Sequence, residues 1–252
     1  MIDKPFDAIS KADVQELISH STPESRTLEY KQGLPGNSDR ERKEFLADVS
    51  SFANASGGDI LYGVTARVDS DCKKTGEPES VKPLEGSTPD EAKLRLEGMI
   101  RENIEPRMRV QIKEIADWGE DGQGFVILLR IPKSFASPHM VTYKKTSRFF
   151  SRNSAGKYQL DVGEIRSAVL ATESQADRIK RFREERLGRI VADETPVRLS
   201  SPHRLVLHVI PIASFLNRER LDLAGNREAL YKFGPMGASS DSSRFNLDGY
   251  LT

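Results

Sequence analysis

A single cysteine, Cys72, stands in 252 residues. That excludes an intramolecular disulfide framework and any zinc site built on cysteines, and it predicts a reducing, cytoplasmic address. No apolar run approaches the roughly 18 residues a membrane-spanning helix needs. The opening MIDKPFDAISK lacks the apolar core of a secretory signal. Neither export nor a membrane partner is therefore expected. The P-loop pattern G-x-x-x-x-G-K-[ST] and the dinucleotide pattern G-x-G-x-x-G are both missing, which leaves nucleotide-binding folds unsupported. Net charge is missing too: 38 basic residues balance 38 acidic ones, so the whole chain does not announce a polyanion partner.

One absence is local. From Gly122 to Leu160 there is no Asp or Glu, while Arg130, Lys133, Lys144, Lys145, Arg148, Arg152 and Lys157 supply seven positive charges. The preceding stretch, Asp69 to Asp121, carries 14 acidic against nine basic residues. Such segregation can steer an anion even in a neutral protein. The plainer alternative is that these bases scatter over several faces.

What is present suits a globular chain, with 37% hydrophobic and 30% charged residues. Ser10 and Asp13 open a short helix with Val14, Leu17 and Ile18 as its apolar positions. Residues 27–31 alternate as a strand, with Leu28 and Tyr30 on one face and Glu29 and Lys31 on the other. A helix over about 39–55 buries Phe45, Leu46, Val49 and Phe52 and stops at Gly57-Gly58. Residues 59–64 read as a strand, 65–89 as an exposed loop, and 89–103 as a helix. Residues 109–115 and 125–131 form a hairpin, and 141–143 and 148–152 two short strands. Helix resumes at Val162 and is strongly charged over 175–187; its apolar positions also suit dimerisation. Residues 205–210 suit a buried strand. The chain closes as though another strand were starting, which predicts a fragment of a longer protein or a tail that completes a dimer.

Residues 24–31, ESRTLEYK, pose the chemical question. Glu-x-Lys on one strand puts a carboxylate and an ammonium about 7 Å apart on one face. Phosphodiester cleavage with Mg²⁺ or Mn²⁺ needs carboxylates for the metal and a cation near the phosphate. In that reading Glu24 and Glu29 hold metal and Lys31 stabilises phosphate charge. In the other, the stretch is the solvated face of an edge strand. Downstream, Lys144, Lys145, Arg148, Arg152 and Lys157 interleave with Tyr143, Phe149 and Phe150, as RNA recognition by phosphate contact and stacking requires. Arg148 and Arg152 share a strand face and are expected to touch phosphate. His139, after Pro138, is expected to contact phosphate or act as an acid. His208 reads as a core residue, and His20 and His203 join no constellation.

Taken together, ESRTLEYK (24–31) and SFANASGGDILYGV (51–64) resemble the Schlafen-type Alba-like domain, also called divergent AAA-4. IPKS (131–134), PHMV (138–141), RFFSRN (148–153) and EIR (164–166) match its bacterial members, and the likeness spans roughly 13–170. The resemblance implies a mixed α/β fold and nucleic-acid binding. In some eukaryotic members it further implies tRNA or rRNA cleavage through three acidic residues, whereas many bacterial members are labelled transcriptional regulators or ATP-binding proteins. Two of the acids fall on Glu24 and Glu29. The third place, after Gly63-Val64, holds Thr65-Ala66, so Asp59 and Asp69 are the substitute candidates. Asp59 and residue 66 lie about 20 Å apart on an extended strand. Eukaryotic cores pair two lobes in one chain; with one lobe here, a homodimer is expected to supply the second.

The expectation is thus an α/β (α+β) chain with a mixed sheet flanked by helices over residues 10–170. Residues 171–252 would carry a charged helix and a small C-terminal α/β segment. Its expected function is a metal-dependent endoribonuclease acting on structured RNA such as tRNA, in stress or phage defence. The alternative is a non-catalytic DNA- or RNA-binding regulator.

Overall fold

Strand alternation and helix spacing meet in a mixed four-stranded sheet covered by helices. A computed structural model describes residues 1–69, 74–119, 122–194, 244–246 and 249–251. The chain divides into two units, Met1–Thr172 and Glu173–Thr252.

In the first unit a 3₁₀ turn (Phe6–Ala8) precedes α1 (Lys11–Ser19). Its start is fixed as the sequence predicts, the Ser10 backbone N–H donating to Asp13 Oδ2 at 2.8 Å. The strand β1 (Leu28–Lys31) leads through a loop to α2 (Asp39–Asn54), whose Ser38 accepts a hydrogen bond from the Glu41 N–H. There follow β2 (Gly58–Tyr62), β3 (Val64–Val68), β4 (Lys74–Val81) and α3 (Pro89–Asn103). Next come β5 (Ile104–Glu105), β6 (Gln111–Trp118), β7 (Gly124–Ile131), β8 (Met140–Tyr143), β9 (Thr146–Asn153) and β10 (Gly156–Gln159). The helix α4 (Val162–Val191) carries the chain into the second unit, which holds a hairpin of β11 (Arg244–Asn246) and β12 (Gly249–Leu251).

The first sheet runs β1-β2-β7-β6, with β1 parallel to β2 and the other pairs antiparallel. All eight residues of β7 are buried, because both faces of the sheet are covered. Ile127, Leu129 and Ile131 pack with Phe45, Leu46, Val49 and Phe52 of α2 and Leu96 and Ile100 of α3. On the other face Val126 and Leu128 pack with Leu28, Tyr30, Leu61, Val14 and Ile9. A second, antiparallel sheet runs β10-β9-β8-β5, and β9 lies against α2.

Two sequence expectations change. The strand expected over 59–64 breaks at Gly63, whose φ of +98° suits glycine, and β3 begins after it. The exposed loop expected over 65–89 instead contains the β3–β4 ribbon, paired Val64↔Val81 and Thr65↔Ser80 with irregular register. β3 alternates Val64, Ala66 and Val68 with Thr65 and Arg67 over only five residues, and β4 (KTGEPESV) has no such alternation. Thr65 Oγ1 meets Ser80 and Arg67 meets Glu77. The strand expected over 205–210 and His203 and His208 lie outside the described residues.

The α2–β2 reversal depends on Gly57. Its φ is +73°, and a Cβ there would lie 2.5 Å from the Lys133 backbone nitrogen and 2.8 Å from the Ile131 carbonyl oxygen. Gly57→Ala combines a left-handed backbone with a backbone collision, so it is expected to cost on the order of 2 kcal/mol or more. Urea unfolding of the variant checks this, and an unchanged midpoint would contradict the tight reversal.

Candidate functional site

The parity of β1 decides where ESRTLEYK points. Leu28 and Tyr30 enter the core on the α1 side, so Glu29 and Lys31 turn to the opposite face, beneath α2. They are not a solvated edge: their side chains are only 13% and 24% exposed. From α2 come Glu44 and Asp48, one helical turn apart, and from the second sheet come Arg152 on β9 and its cross-strand partner Lys157 on β10.

These six side chains form one cage. Lys31 Nζ lies 2.7 Å from Glu29 Oε1, 3.1 Å from Asp48 Oδ2 and 3.6 Å from Glu44 Oε1. Lys157 Nζ lies 2.6 Å from Asp48 Oδ1 and 3.8 Å from Glu44 Oε1. Arg152 Nη2 reaches Glu29 Oε2 at 2.9 Å, and its guanidinium stacks 3.6 Å over the Phe52 ring. Three acids meet three bases, so the cage is neutral. Beside it a cavity of about 160 Å³ is lined by Lys31, Leu34, Glu44, Phe45, Asp48 and Tyr62 among others.

Burial and charge pull on these groups in opposite directions. Burial would raise the Glu29 carboxyl, but Lys31 and Arg152 override it and hold the group below the usual range. Asp48 is pushed up, first by burial and then by Glu29, against the pull of Lys31 and Lys157. Burial would strip the Lys31 proton, yet Asp48 and Glu29 more than offset it and hold the ammonium above its ordinary value. The Tyr62 phenol is raised by burial and by Asp48, Glu29 and Glu44.

Other expected residues have other partners. Glu24 is exposed before β1, where its Oε1 accepts from the Tyr30 N–H at 3.1 Å and its own N–H donates to the Gly76 carbonyl. Asp59 pairs in register with Leu28, hence on the face opposite Glu29. There it is buried against Arg130, with Nε 2.8 Å from Oδ1, and cannot share a ligand with the cage. Asp69 is exposed just beyond β3. Arg152, expected to touch phosphate, is instead the buried counterion of Glu29, with Nε and Nη1 buried and lacking hydrogen-bond partners. His139 is fully buried. Its Nδ1 faces the Pro106 carbonyl at 2.6 Å, so Nδ1 carries the proton and Nε2 accepts from Ser134 Oγ at 2.6 Å. Burial lowers its pKa, and the ring ties a turn together rather than facing an anion.

Of the cations in the acid-free run, Lys133 is exposed after β7, and Lys144, Lys145 and Arg148 face outward around the β8–β9 turn. Lys145 and Arg148 are exposed, Arg148 bonding Gln159, and Lys144 is 59% exposed beside Asp39. Asp48 and Glu44 were missed from sequence. The signal was an aspartate inside the apolar stripe of α2, where nothing but a buried partner makes it tolerable.

A metal ion does not fit this arrangement. Both oxygens of Glu29 and both of Asp48 already face cations, and adding a divalent charge to a neutral cage is unfavourable. Among the described residues no group of three or more His, Cys, Asp or Glu side chains could hold a metal ion. Glu29→Gln would leave the Arg152 charge buried and unpaired, at a cost of about 3 kcal/mol. Glu29→Gln with Arg152→Met is expected to recover part of that loss. Urea denaturation of the wild type, the two single variants and the double variant reads the coupling, and strict additivity would dissolve the pair.

Among the described residues no helix is long and apolar enough to cross a membrane. The comparison with curated proteins gives no match. Among solved structures, the chain is similar to the N-terminal domain of a RecG-related protein from Nitrosomonas europaea. Identity is 18%, over 55% of this chain and 82% of that one, at a TM-score of 0.37. It is also similar to the DIP2311 protein from Corynebacterium diphtheriae, at 18% identity over 60% of this chain and 26% of that one, with a TM-score of 0.35. A family model described as Schlafen, AlbA_2 matches residues 24–161, which hold β1, α2, the cage and the basic turn. With more than half its length so matched, the chain belongs to the Schlafen AlbA_2 family.

Proposed function

We propose that this domain is a nucleic-acid-binding module whose phosphate contacts are made by the β8–β9 turn. The observation that carries the reading is the turn's backbone. Lys144 and Lys145 sit at φ +45° and +63° between the paired residues Tyr143 and Thr146. A two-residue hairpin turn of this kind favours Asn-Gly, since both central residues are left-handed. Two lysines there cost about 1 kcal/mol or more each. In return the turn places two ammonium groups at its tip, with Arg148 farther along β9. Charge placed at a conformational cost suits phosphate binding, which positions a ligand without reading its sequence. Membership in the Schlafen AlbA_2 family supports a nucleic-acid-related role. RNA is the first ligand to test, since Tyr143 sits beside these cations, and duplex DNA is the comparison.

Anisotropy titrations of a labelled RNA hairpin and a DNA duplex across a salt series test this. The logarithm of affinity is expected to fall linearly with that of salt, and Lys145→Ala to reduce the slope by about 1. A flat response, or an unchanged slope in the variant, would remove the turn from the interface.

A second reading, a metal-dependent endoribonuclease on structured RNA such as tRNA in stress or phage defence, is supported by the retained acid-x₄-acid-x-Lys motif of Glu24, Glu29 and Lys31. Against it stands the neutral cage. Incubating labelled tRNA with the protein and Mn²⁺ is expected to give binding without cleavage. Manganese-dependent cleavage that disappears in Glu29→Gln would reverse the order of the two readings.

A further inference from the structure

Glu29, Glu44 and Asp48 converge on one point, and that point is the Lys31 ammonium, at 2.7, 3.6 and 3.1 Å. Carboxylates from a strand and a helix meeting around one positive centre resemble the oxygen shell of a divalent ion, whose ligands lie closer, at about 2.0–2.6 Å. We propose that Lys31 is the resident cation of this cage, occupying the position a divalent metal would take and barring it, so that a neutral side chain at position 31 converts the cage into a Mg²⁺ or Mn²⁺ site.

Three observations carry this. The first is charge. With Lys31, Arg152 and Lys157 against three carboxylates the cage sums to zero, and a divalent ion would raise it to +2. Without Lys31 the cage carries −1, and the ion raises it only to +1. The second is saturation. Lys31 takes one oxygen each from Glu29 and Asp48, while Arg152 and Lys157 hold the other two. Loss of Lys31 therefore frees Glu29 Oε1 and Asp48 Oδ2 together, beside Glu44, which is 51% exposed and able to approach. The third is room. The cavity of about 160 Å³ borders Lys31, Glu44 and Asp48, space for roughly five waters at about 30 Å³ each. A small divalent ion keeps several of its waters.

The other two bases explain why the cage should survive the change. Asp48 keeps Lys157 and Glu29 keeps Arg152, so neither acid is left alone. Lys31 acts here as a positioning and excluding residue, and the inference concerns metal only. It stands whether or not the β8–β9 turn binds nucleic acid.

Titration of the full chain with Mn²⁺ alone, followed by loss of the free-ion electron paramagnetic resonance signal, tests it. Wild type is expected to bind no Mn²⁺ at this cage below millimolar concentration. Lys31→Met is expected to bind one ion at least tenfold more tightly, and Glu44→Gln in that background to weaken it again. Thermal melts report folding, and Lys31→Gln replaces Lys31→Met if the latter does not fold. The proposal is overturned if wild type binds one ion at micromolar concentration and loses it in Glu29→Gln. It is equally overturned if the folded position-31 variants bind no better than wild type.

Discussion

Asp48 lies within the apolar stripe of α2, only 2% exposed, and the site is arranged around the need to neutralise it. A carboxylate taken out of water costs several kcal/mol unless cations and hydrogen bonds meet it. Two lysines do so, one from β1 and one from β10, and each touches a different oxygen. Lys31 in turn needs Glu29, and Glu29 needs Arg152. One buried acid thus ties α2 to both sheets through a chain of charges rather than through apolar contact alone. Glu29 and Asp48 each hold two bases, so the end of the chain, Arg152, is the group most exposed to loss of a partner.

The acid-free stretch from Gly122 to Leu160 acquires a double meaning from this. Arg130, Arg152 and Lys157 point inward, against Asp59, Glu29 and Asp48. Their absence of acidic neighbours in sequence is matched by acidic partners in space. Lys144, Lys145 and Arg148 belong to the same run but lie at a turn and along a strand where their charges reach solvent. A segment that reads as one basic surface is therefore two populations. The inward group stabilises the fold, and in the outward group Lys144 is paired with Asp39 while Lys145 is exposed at the turn.

Much of this was legible in sequence where the period was clean. The stripe Phe45, Leu46, Val49 and Phe52 gave α2, and Gly57-Gly58 its end. The alternation of Leu28 and Tyr30 correctly set the parity of Glu29 and Lys31. What alternation does not reveal is what covers the polar face. A helix from a segment eight residues downstream does so, and burial of Glu29 follows from that tertiary fact alone. The β3–β4 ribbon was illegible for the opposite reason: β3 alternates for only five residues, β4 not at all, and the pair buries little. His139 looked like a ligand contact from its place after Pro138, and Arg152 from the strand face it shares with Arg148, yet both are committed to partners distant in sequence, Pro106 and Glu29.

The third acid of the family pattern illustrates how position and chemistry separate. Its place after Gly63-Val64 is Thr65-Ala66, on the β3–β4 ribbon that begins once Gly63 breaks the strand. Asp59 begins the same strand but faces the other side of the sheet, where Arg130 holds it. An acid does stand opposite Glu29, but it comes from α2, and it arrives with Lys157 beside it. A carboxylate accompanied by its own base neutralises the site instead of charging it. Proximity of acids alone therefore does not describe this site. In this chain the bases within 4 Å of Glu29, Glu44 and Asp48 match the three acids in number, and each acid grips a neighbouring side chain.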